Sequence, residues 1–140
     1  MSVHGTYLCT LDVHLGPVRE VGATPAGFRR VIPIVGGTVS GGLRGSVLPG
    51  GADWNLVGAD GSGNLWARYE LELDDGGVVT VTNTATHGPG HDGPILTAPQ
   101  FDVGEGGPTH LRHGVHVGVL EPLLDEGRVH IEVYRIDLAG

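Results

Sequence analysis

The sequence predicts an all-β protein, a single antiparallel β-barrel of about eight or nine strands enclosing a hydrophobic pocket, and three observations predict it. Between Arg29 and Trp54 the chain reads RRVIPIVGGTVSGGLRGSVLPGGADW, where glycine pairs punctuate apolar runs. Such pairs permit positive φ at turns and kinks, whereas a helix would need uninterrupted side chains. Short strand-like runs then recur at regular spacing along the chain, with turn residues between them. Almost nothing reads as a helix able to cover a sheet face, so a sandwich or barrel is left. A closed barrel removes exposed edges, and about eight strands are wide enough to enclose one small ligand.

Each element follows from local chemistry. Residues 7–15 alternate loosely and end at Gly16-Pro17, and residues 18–21 form a short strand. The PAGFRR segment leads into a strand over 31–35, where Pro33 marks an edge or a bulge because it lacks the ladder donor. Strands over 38–40 and 43–48 flank Gly41-Gly42; Pro49-Gly50-Gly51 turns the chain into a strand over 54–57; Asp60-Gly61-Ser62-Gly63 turns it again. The clearest unit is a hairpin, 65–73 and 78–84 around Asp74-Asp75-Gly76-Gly77, since β-formers on both sides of Asp-Gly are a strong hairpin signal. A loop over 86–94, a strand over 95–103, a turn over 104–108, and strands over 111–120 and 128–138 joined by EPLLDEG complete the chain, with no internal repeat.

Composition narrows the classes. A chain of 140 residues makes one domain spanning 1–140, and a domain near that size buries roughly 68–70% of its unfolded surface. Cys9 is the single cysteine, so no internal disulfide forms, and on a strand in apolar company it reads as an inert core thiol. The first residues, MSVHGTYLCTLDV, lack a basic region followed by an apolar run, so a cytoplasmic location is expected. No run of apolar residues is long enough to span a membrane. Eight Lys plus Arg stand against sixteen Asp plus Glu, a net charge of −8, which argues against nucleic acid as a partner.

Candidate functional residues are few. Trp54 and Trp66 read either as core fillers or as the walls of a pocket. Period two puts Trp66, Arg68, Glu70 and Glu72 on one face of their strand and Leu65, Ala67, Tyr69, Leu71 and Leu73 on the other. The second set is the obvious packed face, yet a hollow barrel whose outside is covered by a partner subunit could reverse the parity. Trp66 and Arg68 are therefore assigned inward as the catalytic pair, with Trp54, Val78, Thr80 and Thr82 as substrate-binding neighbours. A homodimer burying one sheet face would reconcile the two parities.

The eight histidines form no convincing ligand set. His87 and His91, and His110, His113 and His116, have helical spacing in segments that read as loop or strand, so no metal is expected. Asp74-Asp75 is turn chemistry and not a catalytic pair. There is no GxSxG elbow, phosphate-binding GxxxxGK[ST] loop or GxGxxG fingerprint, and no cofactor is expected.

VGATPAGFRRVIPIVGGTVSG, LRGSVLPGGADW, ARYELELDDGGVVTVTN and HVGV…VHIEVYRI together resemble the bacterial and fungal family known as domain of unknown function number 3237, in order and over nearly the whole chain. The resemblance implies a small antiparallel barrel, similar to others that hold hydrophobic small molecules, and supplies no general activity. In the family pattern an aspartate often precedes the Ala67-Arg68-Tyr69 equivalent, where this chain has Trp66. An arginine often stands at Thr82, and an aromatic-Leu-Asn run is represented here by His110-Leu111-Arg112.

Losing a carboxylate suits an apolar ligand. The resemblance, with those departures, leads to a cofactor-free cyclase of secondary metabolism that folds a hydrophobic polyene or macrocyclic polyketide-like substrate for pericyclic cycloaddition, a chemistry that needs confinement and no nucleophile. Trp54 and Trp66 would stack on the substrate while Arg68, Thr82 and Arg112 bind its oxygens, with His116 beside them. Two other classes fit the same pocket: a lipocalin-like carrier without turnover, and an acid–base isomerase or lyase using His116, His110 or Glu70.

Overall fold

A computed structural model describes residues 1–140. It contains ten strands: β1 (Ser2–Leu15), β2 (Arg19–Thr24), β3 (Gly27–Gly41), β4 (Gly45–Val47), β5 (Gly51–Val57), β6 (Gly63–Leu73), β7 (Val78–His87), β8 (Ile95–Val103), β9 (Val115–Leu123) and β10 (Arg128–Ala139), with short 3-10 turns at Thr109–Arg112 and Leu124–Glu126. All pairings are antiparallel, and β1 pairs with both β10 and β3, so the sheet closes on itself. Ten strands make eight staves because two staves are split: β2 continues β1 along one edge of β3, and β4 and β5 share its other edge. The barrel expected from the sequence is therefore the one formed.

The splits explain β3, which runs unbroken for 15 residues through a proline and the glycine pair Gly36-Gly37. Pro33 lies where β1 gives way to β2: Leu15 pairs with Ile34, Arg19 pairs with Val31, and the Pro33 carbonyl accepts from Gly16 N–H at 2.8 Å. Its missing donor thus falls in the gap between two strands, beside a register shift, where the ladder has nothing to lose. Gly37, at φ 143°, lets β1 come close enough that a Cβ there would collide with the Asp12 carbonyl.

The Asp-Gly hairpin forms as read: Asp75 Oδ1 accepts from Gly77 N–H at 2.8 Å, and Leu73 N–H donates to Gly77 O at 2.8 Å. Several segments depart from expectation, among them the runs over 31–35 and 38–40, which join in the single strand β3. β1 begins at Ser2, held by twelve residues of pairing with β10. The run at 111–114 is a 3-10 turn and its exit, with Arg112 Nε donating to Val103 O at 2.9 Å and Leu111 buried against the barrel.

The interior is filled at one end. Cys9, Leu11, Leu71, Val79, Val81 and Val133 are fully buried there, joined by Phe101, His116 and Leu111. Burial alone pushes the Cys9 thiol up to about 11, consistent with an inert core residue.

Candidate active site in the open half of the barrel

Parity along β6 decides which side chains line the interior. Leu65, Ala67, Tyr69, Leu71 and Leu73 point inward, while Trp66 is 42% exposed on the outer face with Arg68 beside it. The inward assignment of Trp66 and Arg68 is thus corrected. The unbranched alternation of apolar residues obeyed the ordinary rule, and no covered exterior was needed to satisfy it. Trp54, 39% exposed, meets Trp66 edge to face outside the barrel at 5.7 Å. Opposite and adjacent to Trp54, Val31 and Ala52 are buried although they share its outward side, so the indoles act as a roof over small outer residues.

The other expected site residues also lie away from the interior cavity. Thr80 and Thr82 face outward with Arg68, whose Nη1 donates to Thr82 Oγ1 at 3.0 Å and whose Nη2 lies 3.7 Å from Asp102. Val78 is exposed at the hairpin end, and Arg112 is engaged with the β8 terminus. His116 does point inward, but into the filled end, perpendicular to Phe101 at 5.1 Å. An outer groove of about 330 Å³ lies between Trp54, Arg68, Glu70, Thr80 and Gly50-Gly51.

The opposite end of the barrel is hollow. A cavity of about 220 Å³ opens between the N-terminal ends of β3, β6, β8 and β10 and the C-terminal ends of β1, β5, β7 and β9. Ile32, Ile34, Leu65, Leu120, Val129 and Ile131 supply much of its apolar wall. Against that wall stand Arg30, Asp53, Asn55, Tyr69, Asn83 and His87.

Ladder register arranges these groups in tiers. Ile32, Asp53, Ala67 and Asn83 are successive cross-strand partners and form one inward row; Arg30 and Asn55 pair one inward position nearer the mouth, and Tyr69 lies one position deeper. Between Asp53 and Leu56 the β5–β6 pairing lapses, and Asp53 Oδ1 accepts the Trp66 N–H at 3.0 Å in place of a carbonyl. That bond fixes the carboxyl group without neutralising it.

Burial is the largest influence on Asp53 and raises its pKa; the Trp66 N–H, the Asn55 side chain and the Arg30 and Arg29 charges pull the other way and only partly offset it. Arg30 Nη2 donates to Asn55 Oδ1 at 3.1 Å, and Asn55 Nδ2 donates to Asn64 O at 3.3 Å. Arg30 Nε, the Tyr69 hydroxyl and Asn83 Oδ1 are buried with no protein partner. Tyr69 also has its pKa raised, chiefly by burial.

Sequence reasoning missed Asp53, Arg30, Asn55, Tyr69 and Asn83 as a group. The signal for one of them was present: the asparagine ending the VVTVT run is a polar residue on the otherwise apolar parity of Val79, Val81 and Ala85. At the mouth His87 and His91 lie with ring centroids 5.6 Å apart, and no three His, Cys, Asp or Glu side chains converge anywhere to hold a metal ion.

Residues 4–136 match the family described as Protein of unknown function (DUF3237), and the chain belongs to it. A UPF0311 protein of Rhodopseudomonas palustris is 38% identical over 100 residues, which is 71% of this chain and 63% of that relative, so the match spans less than two thirds of the relative's length. Among solved structures, a beta-barrel like protein of Acinetobacter baumannii superposes with a TM-score of 0.86 at 30% identity, covering 98% of both chains. An enzyme from Penicillium herquei shares the fold alone, with a TM-score of 0.81 at 22% identity over 98% of this chain and 96% of that one.

Proposed function

We propose that this member of the DUF3237 family takes a small, mostly apolar molecule into the open half of its barrel and promotes a cofactor-free cyclisation or isomerisation there, with Asp53 as the proton-transfer group. The observation that carries this reading is a carboxyl group buried in an apolar cavity, oriented by one backbone N–H and raised in pKa. A carboxyl group so tuned keeps its proton to higher pH than a solvated one does, and the protonated form is the state from which it can donate.

In this reading Asp53 donates its proton to a carbonyl oxygen while the Arg30 guanidinium offsets the negative charge left on the carboxylate, and that carboxylate then takes a proton from a carbon of the same molecule. Proton count is conserved, and the product has the mass of the substrate. Positioned acid–base catalysis contributes about 10²–10⁴-fold, and holding a flexible chain in reactive geometry adds to it.

The cavity of about 220 Å³ is smaller than the ~300–1,000 Å³ typical of drug-sized ligands. It favours an acyclic, monocyclic or bicyclic substrate, which narrows the expected polyene or polyketide-like class and disfavours a macrocycle. The enzyme from Penicillium herquei supports turnover only as an analogy of fold.

The test is an incubation of the purified protein with small enolisable polyenes, followed by mass and retention time, alongside Asp53→Asn. Asparagine keeps an oxygen for the Trp66 N–H but cannot donate an acidic proton. An isomass product whose formation falls at least about 100-fold in Asp53→Asn, with the fold retained, is the expected result. Equal turnover in the variant removes the carboxyl group from the chemistry. Stoichiometric retention without conversion identifies a carrier instead.

A further inference from the structure

Hydrogen-bonding capacity left over in the cavity describes its ligand. Asn83 is 1% exposed and Tyr69 3% exposed; both line the cavity, and the Asn83 Oδ1 and Tyr69 hydroxyl have no protein partner. They are diagonal neighbours on the inner face, since Tyr69 pairs with Val81 and Asn83 with Ala67. Asn83 Oδ1 can only accept, and the Tyr69 O–H can donate. A single hydroxyl group satisfies both, donating to the asparagine and accepting from the tyrosine.

One inward position nearer the mouth than the Asn83 row, the Arg30 Nε is also buried and unpartnered. It can only donate, so it requires an acceptor. Two residues of strand rise separate these levels by about 7 Å. Leaving such groups unpaired leaves their desolvation cost uncompensated, so a ligand that completes them is selected over a hydrocarbon of the same shape.

We propose that the cavity recognises a small hydroxy-carbonyl compound, its hydroxyl engaging Tyr69 and Asn83 and its carbonyl oxygen, at the level nearer the mouth, accepting from Arg30. This rests on the cavity being the functional site, and it assigns what the site reads. Between the two oxygens the ligand is a flat or extended apolar body, matched to Ile32, Leu65, Leu120 and Ile131.

Calorimetric titration with para-hydroxyacetophenone, acetophenone, para-ethylphenol and ethylbenzene tests it, because the four probes share one shape and differ only in the two oxygens. Loss of either oxygen is expected to weaken binding at least about tenfold, equivalent to ~1.4 kcal/mol. Asn83→Leu should abolish the preference for the hydroxyl and leave the preference for the carbonyl; Arg30→Met should do the reverse. Tyr69→Phe, which keeps the ring and removes only the hydroxyl oxygen, provides the same hydroxyl readout should Asn83→Leu fail to fold.

Ethylbenzene binding as tightly as para-hydroxyacetophenone overturns the recognition proposal while leaving the cavity as the site. A hydroxyl preference that persists in both Asn83→Leu and Tyr69→Phe overturns it as well. If none of the four binds and the cavity amides do not shift in NMR spectra, the cavity reading falls together with it.

Discussion

The two ends of the barrel are built from the same strands and treat their interiors oppositely. At the closed end, inward positions from β1, β6, β7 and β10 are aliphatic and fully buried, and Leu111 on its 3-10 turn packs beneath them. At the open end the same strands contribute Ala67 and Asn83 beside Asp53 and Arg30, and a cavity replaces the core. Stability is thus concentrated in one half, and the other half is free to hold polar groups that a filled core would reject. The division of labour is within strands, not between domains.

The largest effect that sharpens this contrast is a cavity mutation. Leu71→Ala in the closed half is expected to cost about 2–5 kcal/mol in denaturant unfolding. Leu65→Ala, only partly buried and already facing the cavity, should cost well under half of that; equal losses would mean the open half is packed as tightly as the closed one.

Next is a gain. Burial raises the Asp53 pKa, so above the ordinary carboxylate value of about 3.9 the unfolded state releases its proton before the folded state does, and the charge penalises folding at neutral pH. Asp53→Asn should therefore raise the unfolding midpoint at pH 7, and its advantage over the wild type should vanish as pH falls below the unfolded carboxylate value. A variant less stable at pH 7 would assign Asp53 to holding the β5–β6 lapse and little else.

Two histidines give a smaller pair of effects with opposite signs. His116 is lowered, first by burial and then by Arg135 and His110, against the opposing pull of Asp137. Its contribution is present above the unfolded value near 6.5 and is lost as pH falls through the window beneath it. His130 is raised, chiefly by its 2.9 Å hydrogen bond to Asp12, with Glu132 adding to the effect and desolvation opposing it. Its contribution is present below the unfolded value and is lost as pH rises through the folded one. Unfolding midpoints across pH 5–8 should show an acid-side loss that His116→Leu removes and an alkaline-side loss that His130→Ala removes.

The smallest expected effect is Trp66→Ala. Trp66 lies on the outer face, so turnover should stay within about twofold while stability falls by roughly 1 kcal/mol. A collapse of turnover in a folded variant would move the chemistry to the outer groove beside Trp54, Arg68 and Thr80.

Much of the architecture was legible because short-range chemistry carried it. Asp75-Gly76 placed the hairpin, Ile95 and Val103 bounded their strand as read, and Pro33, read as an edge or a bulge, lies inside an unbroken strand beside the register shift where β1 gives way to β2. The site was less legible. The Leu65, Ala67, Tyr69, Leu71 alternation marked the inner face correctly, but the area and rarity of the indoles drew attention to the opposite parity. Asp53, Asn83 and Arg30 come from three strands, and their convergence on one cavity depends on register across the β3–β5, β5–β6 and β6–β7 pairings. No local pattern encodes such long-range alignment.

The pairing of β1 with β10 spans nearly the whole chain, from Ser2 opposite Ala139 to His14 opposite Arg128. A nascent polypeptide emerging from the ribosome must therefore carry an unzipped seam until its last stave is synthesised, with the edges of β1 and β9 exposed meanwhile. Such late, distant contacts slow folding and invite association between incomplete chains. Charged side chains at the seam, Asp12 with Arg128 and His130, sit where they would both discourage mispairing and guide the final strand into place.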